Sequence, residues 1–154
     1  MRKICVFFAD GASVRGMTVR GLLNKGDSMT NVSLLAARVL LALLFVIAGL
    51  GKLSDVGGFA GYMASGGVPA FLAWPVILLE ILGGLAILVG VQTRLAALAL
   101  GAFCVLSGVL YHFVPADQMQ MTMLFKNLGL AGGFLLLAQT GAGAWSVDSR
   151  RGRA

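Results

Sequence analysis

The sequence contains four apolar runs that are each long enough to cross a membrane as an α-helix. A hydrocarbon core about 30 Å thick requires roughly 20 helical residues. The runs cover residues 33–51, 69–91, 95–114 and 121–139. None of them alternates apolar and polar residues with a period of two, as a transmembrane β-barrel would require. We therefore predict an all-α membrane protein with four transmembrane helices.

The composition limits the chemistry that this chain can carry out alone. Of its 154 residues 58% are hydrophobic and 12% are charged, whereas about 25% are charged in an average soluble domain. The two cysteines, Cys5 and Cys104, form no CxxC motif, and there is one histidine. We expect no metal site, no covalently bound cofactor and no self-sufficient catalytic motif.

The positive charges indicate how the helices are oriented. Nine of the twelve basic residues lie before the first run, between the second and third runs, or after the fourth run. If the helices alternate in direction, these residues lie on one side of the membrane, and Lys52 alone lies in the loops of the other. Lysine and arginine accumulate in cytoplasmic loops. The pattern predicts an antiparallel bundle with both termini cytoplasmic, and gives no indication of nucleic-acid binding.

The segments outside the apolar runs are predicted to be tails. Residues 1–30 are polar and aperiodic, and their short apolar patch does not reach the length of a signal-peptide core. We predict a flexible cytoplasmic tail there, with Met17 and Met29 as alternative starts. Residues 31–140 form the membrane domain, and residues 141–154 are predicted to be a basic, disordered cytoplasmic tail.

Each apolar run has a polar side chain on the helical face that carries its small residues. The polar residues are Arg38 in the first run and Lys52 directly after it, Glu80 in the second, His112 in the third, and Lys126 and Asn127 in the fourth. Small residues mark the places where membrane helices touch. We therefore expect these six residues to form a polar cluster inside the bundle. In the fourth run, the face of Lys126 also carries Gly129 and Gly133.

Glu80 is the residue that most needs a partner. At 1.5 Å per residue it lies about 16 Å from residue 69, near the membrane midplane. An unpaired ionisable side chain at that depth costs about 3 kcal/mol on insertion scales. Glu80 therefore pairs with Lys126 and Asn127, or with Arg38, or it is protonated because burial disfavours the ionised form.

Each polar residue has a structural and a functional interpretation. Glu80 either fixes the helix register or exchanges a proton with a ligand. Lys126 and Asn127 together could hold an anionic or carbonyl group. The alternative for Arg38 and Lys52 is that they anchor the helix ends by snorkelling. For His112 it is a hydrogen bond to a loop carbonyl group.

The order of the motifs resembles the DoxX family over residues 31–148. The matching positions are Arg38, Gly49-x-x-Lys52-Leu53, Gly67-Val68-Pro69, Glu80 followed by Gly83-Gly84, Gly90-x-x-Thr93-Arg94, Phe125-Lys126-Asn127-Leu128, and Asp148. The resemblance implies a four-helix, multi-pass protein of the bacterial inner membrane. Relatives include the membrane subunit of thiosulfate:quinone oxidoreductase and proteins thought to dock soluble redox enzymes. It implies no agreed set of catalytic residues.

Residues and resemblance together suggest a membrane subunit or accessory protein of a quinone-linked redox complex. Its polar interior would bind a quinone head group or pass protons, while a soluble or membrane partner protein supplies the redox cofactor. One alternative is a small transporter, which with four spans would need to form a homo-oligomer. Another is a scaffold or assembly factor that binds a second membrane protein through exposed helix faces that carry small residues.

Overall fold

The computed structural model describes residues 19–152, with the backbone alone for residues 19–28. These residues form six α-helices and no strand, and a short 3-10 turn, Ala70–Leu72, precedes the third helix. The helices are α1 (Val19–Leu53), α2 (Val56–Ser65), α3 (Ala73–Val89), α4 (Thr93–His112), α5 (Gln118–Thr140) and α6 (Val147–Arg150).

Four of these helices are long and apolar enough to span a membrane: α1 from Met29 onward, α3 with the turn before it, α4 and α5. Large apolar side chains such as Leu40, Leu106 and Leu136 are exposed around the bundle. So many exposed apolar side chains are expected where lipid surrounds the bundle. The prediction of an all-α protein with four transmembrane helices is confirmed.

The spanning helices pack as two close pairs. α1 packs mainly against α3, and α5 packs mainly against α4, while the contact between α1 and α5 is sparse. The ring of helices therefore has a loose seam between α1 and α5. The beginnings of α1 and α4 and the ends of α3 and α5 meet at one end of the bundle, which we call the terminal end. The opposite end, near α2, is called the α2 end.

Glycine allows α1 and α3 to approach closely. A Cβ atom on Gly84 would lie 2.8 Å from Val46 Cγ2, and one on Gly49 would lie 2.6 Å from Ile81 Cγ1. Because real Cβ atoms do not come this close to other atoms, a larger residue at either position would force the neighbouring side chain to shift. Small residues at a helix contact are the usual means of packing in a membrane, where no hydrophobic force holds helices together.

The small residues of α5 behave differently from the prediction. A Cβ atom on Gly129 would meet nothing within 4 Å, and Lys126 is exposed. Gly133 faces Leu41 of α1 only at ordinary van der Waals distance, 3.7 Å. The expectation that Gly129 lies at a helix contact is therefore wrong.

Polar residues at the helix ends explain where the helices start and stop. Asp55 accepts a hydrogen bond from the Gly58 backbone N–H and caps α2. Asp117 accepts bonds from the backbone N–H groups of two residues in the first turn of α5. α3 ends at Gly90, whose φ of 71° is the left-handed conformation that glycine adopts without strain.

The segments outside the four spans are more structured than predicted. α1 begins at Val19, so residues 19–30 belong to a helix where we predicted a flexible tail. Residues 1–18 lie outside the described part of the chain. At the other terminus, Ala142, Ser146 and Asp148 are buried. The predicted disorder of residues 141–154 is therefore wrong for this packed portion.

The half of the bundle nearer the terminal end is filled by an apolar core. The rings of Phe45 and Phe134 pack edge to face, with centroids 5.3 Å apart. The rest of the core is aliphatic, and its buried members include Ala42, Ile87, Ala97, Leu100 and Leu137. This core separates the two ends of the bundle, and polar side chains are buried on both sides of it.

Candidate functional site

A polar cavity of about 260 Å³ lies at the α2 end of the bundle, with walls from α1, α2, α3, α4 and α5. Its polar lining residues are Lys52, Glu80, Ser107, His112, Lys126 and Asn127. Its aromatic lining residues are Phe45, Phe59, Tyr62, Phe103 and Tyr111. Apolar walls with a few converging polar groups are characteristic of small-molecule sites.

An ion pair between a half-buried lysine and a buried carboxylate forms one wall of this cavity. Lys52 Nζ lies 2.8 Å from Glu80 Oε1 and 2.7 Å from Oε2. The Glu80 side chain is 4% exposed and that of Lys52 is 24% exposed. The pair thus supplies the partner that an ionised Glu80 needs in an apolar bundle.

The partner of Glu80 differs from both predicted partners. Lys126 and Arg38 were expected, but Lys52 makes the contact. Gly49 is the reason, because a Cβ atom there would lie 3.2 Å from Glu80 Cβ, so α1 runs directly beside the carboxylate. Lys52 is one helical turn further along α1 and folds its long side chain back onto Glu80.

Helix α2 covers this wall and is held by aromatic contacts. Lys52 Nζ lies 5.2 Å from the centroid of the Phe59 ring, a cation–π distance. The rings of Tyr62 and Tyr111 stack with centroids 4.9 Å apart. Tyr111 also donates a hydrogen bond to the Met63 carbonyl oxygen at 3.0 Å. Their position over a cavity is a product of the tertiary structure.

The opposite wall presents polar groups with few protein partners. Asn127 lines the cavity, and its amide makes no hydrogen bond within the described part of the chain. Lys126 Nζ is 3.4 Å from Met123 Sδ, and no carboxylate among the described residues pairs with it. His112 Nδ1 lies 2.7 Å from Gln120 Oε1, so a side chain takes the place of the expected loop carbonyl group.

Arg38 lies at the other end of the bundle and takes no part in the cavity. Its side chain is buried, and its guanidinium group donates hydrogen bonds to four backbone carbonyl oxygens. These are the carbonyls of Ile87 and Leu88, at 2.9 and 2.6 Å, and of Ala142 and Trp145, at 2.9 and 2.8 Å. Arg38 therefore joins α1, the end of α3 and the C-terminal segment. Its expected place in the cluster around Glu80 is wrong.

Asp148 completes this connection at the terminal end. Its carboxylate accepts hydrogen bonds from the backbone N–H groups of Gln92 and Thr93 at 2.9 and 2.8 Å. Its own N–H donates to the Gly90 carbonyl oxygen at 2.8 Å. A residue distant in sequence thus caps α4. Arg38, Gly90, Thr93 and Asp148, which are widely spaced among the DoxX-like positions of the sequence, all take part in the contacts at this end of the bundle.

The cavity offers a small ligand hydrogen-bonding groups on two sides and apolar walls between them. Asn127 can donate or accept a hydrogen bond on one side. The Lys52–Glu80 pair can donate or exchange a proton on the other. No group of three or more His, Cys, Asp or Glu residues that could hold a metal ion occurs in the described portion.

These features define a small polytopic membrane protein, a four-helix bundle with a polar cavity at one end. The DoxX family model matches residues 33–113, more than half of the chain. The chain therefore belongs to the DoxX family. The match includes Arg38, Lys52, Glu80 and His112, whereas Lys126 and Asn127 follow it.

Relatives support the same assignment. The chain is 47% identical over 120 residues to the inner membrane protein YqjF of Escherichia coli (strain K12), covering 78% of this chain and 92% of YqjF. It is 35% identical over 126 residues to the inner membrane protein YphA of the same strain, covering 77% of this chain and 90% of YphA. The protein is thus a multi-pass protein of the bacterial inner membrane.

A more distant similarity connects the chain to CatD of Bacillus subtilis (strain 168), a proposed oxidoreductase. The two are 30% identical over 64 residues, covering 42% of this chain and 48% of CatD. No solved structure matches the chain significantly.

Proposed function

We propose that this protein is the membrane subunit of a quinone-linked redox complex and that its cavity binds the quinone head group. The observation that carries the proposal is the cavity itself, where a buried Lys52–Glu80 pair stands opposite the unpartnered amide of Asn127. The similarity to CatD supports a redox role, because that relative is a proposed oxidoreductase.

The cavity offers a quinone ring two kinds of contact. The Asn127 amide donates a hydrogen bond to one ring oxygen, and aromatic side chains such as Phe59 and Phe103 cover the ring faces. The second oxygen faces the Lys52–Glu80 pair. Reduction adds two electrons and two protons to a quinone, and a partner protein with its own redox cofactor supplies the electrons. The Lys52 ammonium group donates one proton to the oxygen on which negative charge develops, and water at the α2 end supplies the second proton and reprotonates Lys52.

The filled core favours ligand binding over solute transport. A transport path along the bundle axis would have to pass Phe45, Leu100 and Phe134, all of which are buried. Beyond them, Arg38 and the C-terminal segment occupy the terminal end. A site that is closed on one side can bind a ligand and exchange protons with the other side.

The test is quinone binding by the purified full-length protein in lipid nanodiscs. Asn127→Leu removes the amide from the cavity, and we expect it to weaken binding about tenfold, the loss of about 1.4 kcal/mol that one unmade hydrogen bond produces. Gln139→Leu is the matched control, since Gln139 is an exposed amide on the same helix outside the cavity.

Glu80→Gln is the second variant, and it keeps the size of the side chain while removing its charge. We expect it to abolish quinone reduction in membranes that contain the partner protein, while the variant stays folded. Full activity in Glu80→Gln together with unchanged affinity in Asn127→Leu would refute the proposal.

A further inference from the structure

We propose that the ligand carries a long hydrocarbon tail, which lies in a groove between α1 and α5 that continues from the polar cavity. The inference rests on the proposed function and deepens it, because it selects lipid-soluble, prenylated quinones over small tail-less ones. The groove, which we call the tail groove, has a volume of about 670 Å³. Its lining residues include Leu34, Ala37 and Leu41 of α1 and Gly133, Leu137 and Thr140 of α5.

The tail groove and the polar cavity lie end to end along the loose α1–α5 seam. On α1, residues three or four apart line first the groove and then the cavity: Leu34, Ala37, Leu41, Leu44 and Ala48. On α5 the corresponding residues, starting from the cavity, are Leu130, Gly133, Leu137 and Thr140. This spacing places each set on a single face of its helix.

On each helix, the residue that lines the groove next to the cavity and the residue that lines the cavity next to the groove are three positions apart. Leu41 lines the groove and Leu44 lines the cavity, and on α5 the same step separates Gly133 from Leu130. Three residues correspond to about 4.5 Å along a helix. A ligand whose ring lies in the cavity can therefore extend its tail directly into the groove.

The chemistry of the tail groove fits hydrocarbon. None of its lining residues is charged. The hydroxyl groups of Ser33 and Thr140 donate to carbonyl oxygens of their own helices, each at 3.0 Å, so they do not require a polar ligand group. Gly133 faces the Leu41 side chain, which a Cβ atom on Gly133 would meet at 3.7 Å, an ordinary van der Waals distance, so apolar groups of both helices form the walls of the groove.

The experiment compares two probes that share one ring, the prenylated naphthoquinone menaquinone and its tail-less counterpart menadione. Both are titrated into nanodiscs that contain the full-length protein, with concentrations expressed per lipid so that partitioning cancels. Gly133→Leu fills the groove. We expect it to weaken menaquinone binding about tenfold, equal to about 1.4 kcal/mol, and to leave menadione binding unchanged.

Gly132→Leu is the matched control. Gly132 is the neighbouring glycine of α5, it lines neither cavity, and a Cβ atom there would meet nothing within 4 Å. We expect it to change the binding of neither probe. Ala37→Leu fills the same groove from α1 and should reproduce the selective loss; it decides the question if Gly133→Leu fails to fold.

The outcomes separate this inference from the proposed function. If both probes bind equally well and the groove variants have no effect, the inference is overturned and the head-group site stands. The same conclusion follows if Gly132→Leu acts like Gly133→Leu, or if a phospholipid chain occupies the groove and menaquinone does not displace it. If neither probe binds the wild-type protein, the proposed function fails, and the inference fails with it.

Discussion

The ion pair between Lys52 and Glu80 can be tested by a double-mutant cycle on stability. Lys52→Met keeps the length and the apolar stem of the lysine but removes its charge. Glu80→Gln keeps the shape of the carboxylate and removes its charge. In the double variant neither charge remains, so the comparison isolates the energy of the interaction from the cost of each substitution.

The structure sets the size of the expected effect. Removing one partner of a fully buried ion pair costs about 3 to 5 kcal/mol, because the remaining charge is left without compensation. Glu80 is 4% exposed, so Lys52→Met leaves a deeply buried carboxylate and should cost about 3 kcal/mol. Lys52 is 24% exposed and can turn towards the interface, so Glu80→Gln should cost less, about 2 kcal/mol. The double variant should recover about 2 kcal/mol of the summed loss.

The measurement is reversible unfolding in mixed micelles, followed by circular dichroism as denaturing detergent is added. Lys126→Met is the matched control, since Lys126 is an exposed lysine of a spanning helix with no carboxylate partner in the described residues. It should change the free energy of unfolding by less than about 0.5 kcal/mol. A Lys52→Met variant as stable as this control, or a strictly additive double variant, would show that the pair does not stabilise the bundle.

Three further predictions concern contacts that hold the ends of the bundle. Arg38→Met removes four hydrogen bonds to carbonyl groups and should lower the free energy of unfolding by about 4 kcal/mol. Trypsin should then cleave the released C-terminal segment much faster than in the wild type, and equal cleavage rates would contradict this. Gly90→Ala forces a left-handed φ on alanine and places its Cβ 2.5 Å from Ser146 Cβ, so the midpoint of unfolding should fall by the equivalent of at least about 1 to 2 kcal/mol. Tyr111→Phe removes the hydrogen bond to Met63 and should cost about 1 kcal/mol, seen as faster hydrogen exchange in α2 with α5 unchanged; uniform exchange changes would argue against a local role.

Much of the fold could be predicted because hydropathy and helical spacing are local properties of the chain. The four runs appear as four spanning helices whose bounds differ from the predicted ones by a few residues. The C-terminal segment was predicted incorrectly for the opposite reason. Its order depends on Arg38 and Gly90, which are far away in sequence, and its own composition resembles that of a disordered tail.

The face of α5 shows the limit of arguing from small residues. Gly129 and Gly133 have the spacing of a membrane-helix contact, and Lys126 shares that face. In the structure α5 packs on α4 through other positions, and a Cβ atom on Gly108 of α4 would lie 3.1 Å from Asn127 Cβ. A motif on one helix states that close approach is possible, but the partner helix decides which face is used.

The sequence by itself determined that the chain crosses the membrane four times and that its ionisable side chains inside the spans need partners. Both conclusions follow from the cost of placing charge in hydrocarbon, which depends on residue type and depth. The tertiary structure alone decided which residues meet. Glu80 is paired with Lys52, because the close α1–α3 contact brings this lysine to the carboxylate. Arg38 binds carbonyl groups at the opposite end of the bundle, because the apolar core lies between it and Glu80.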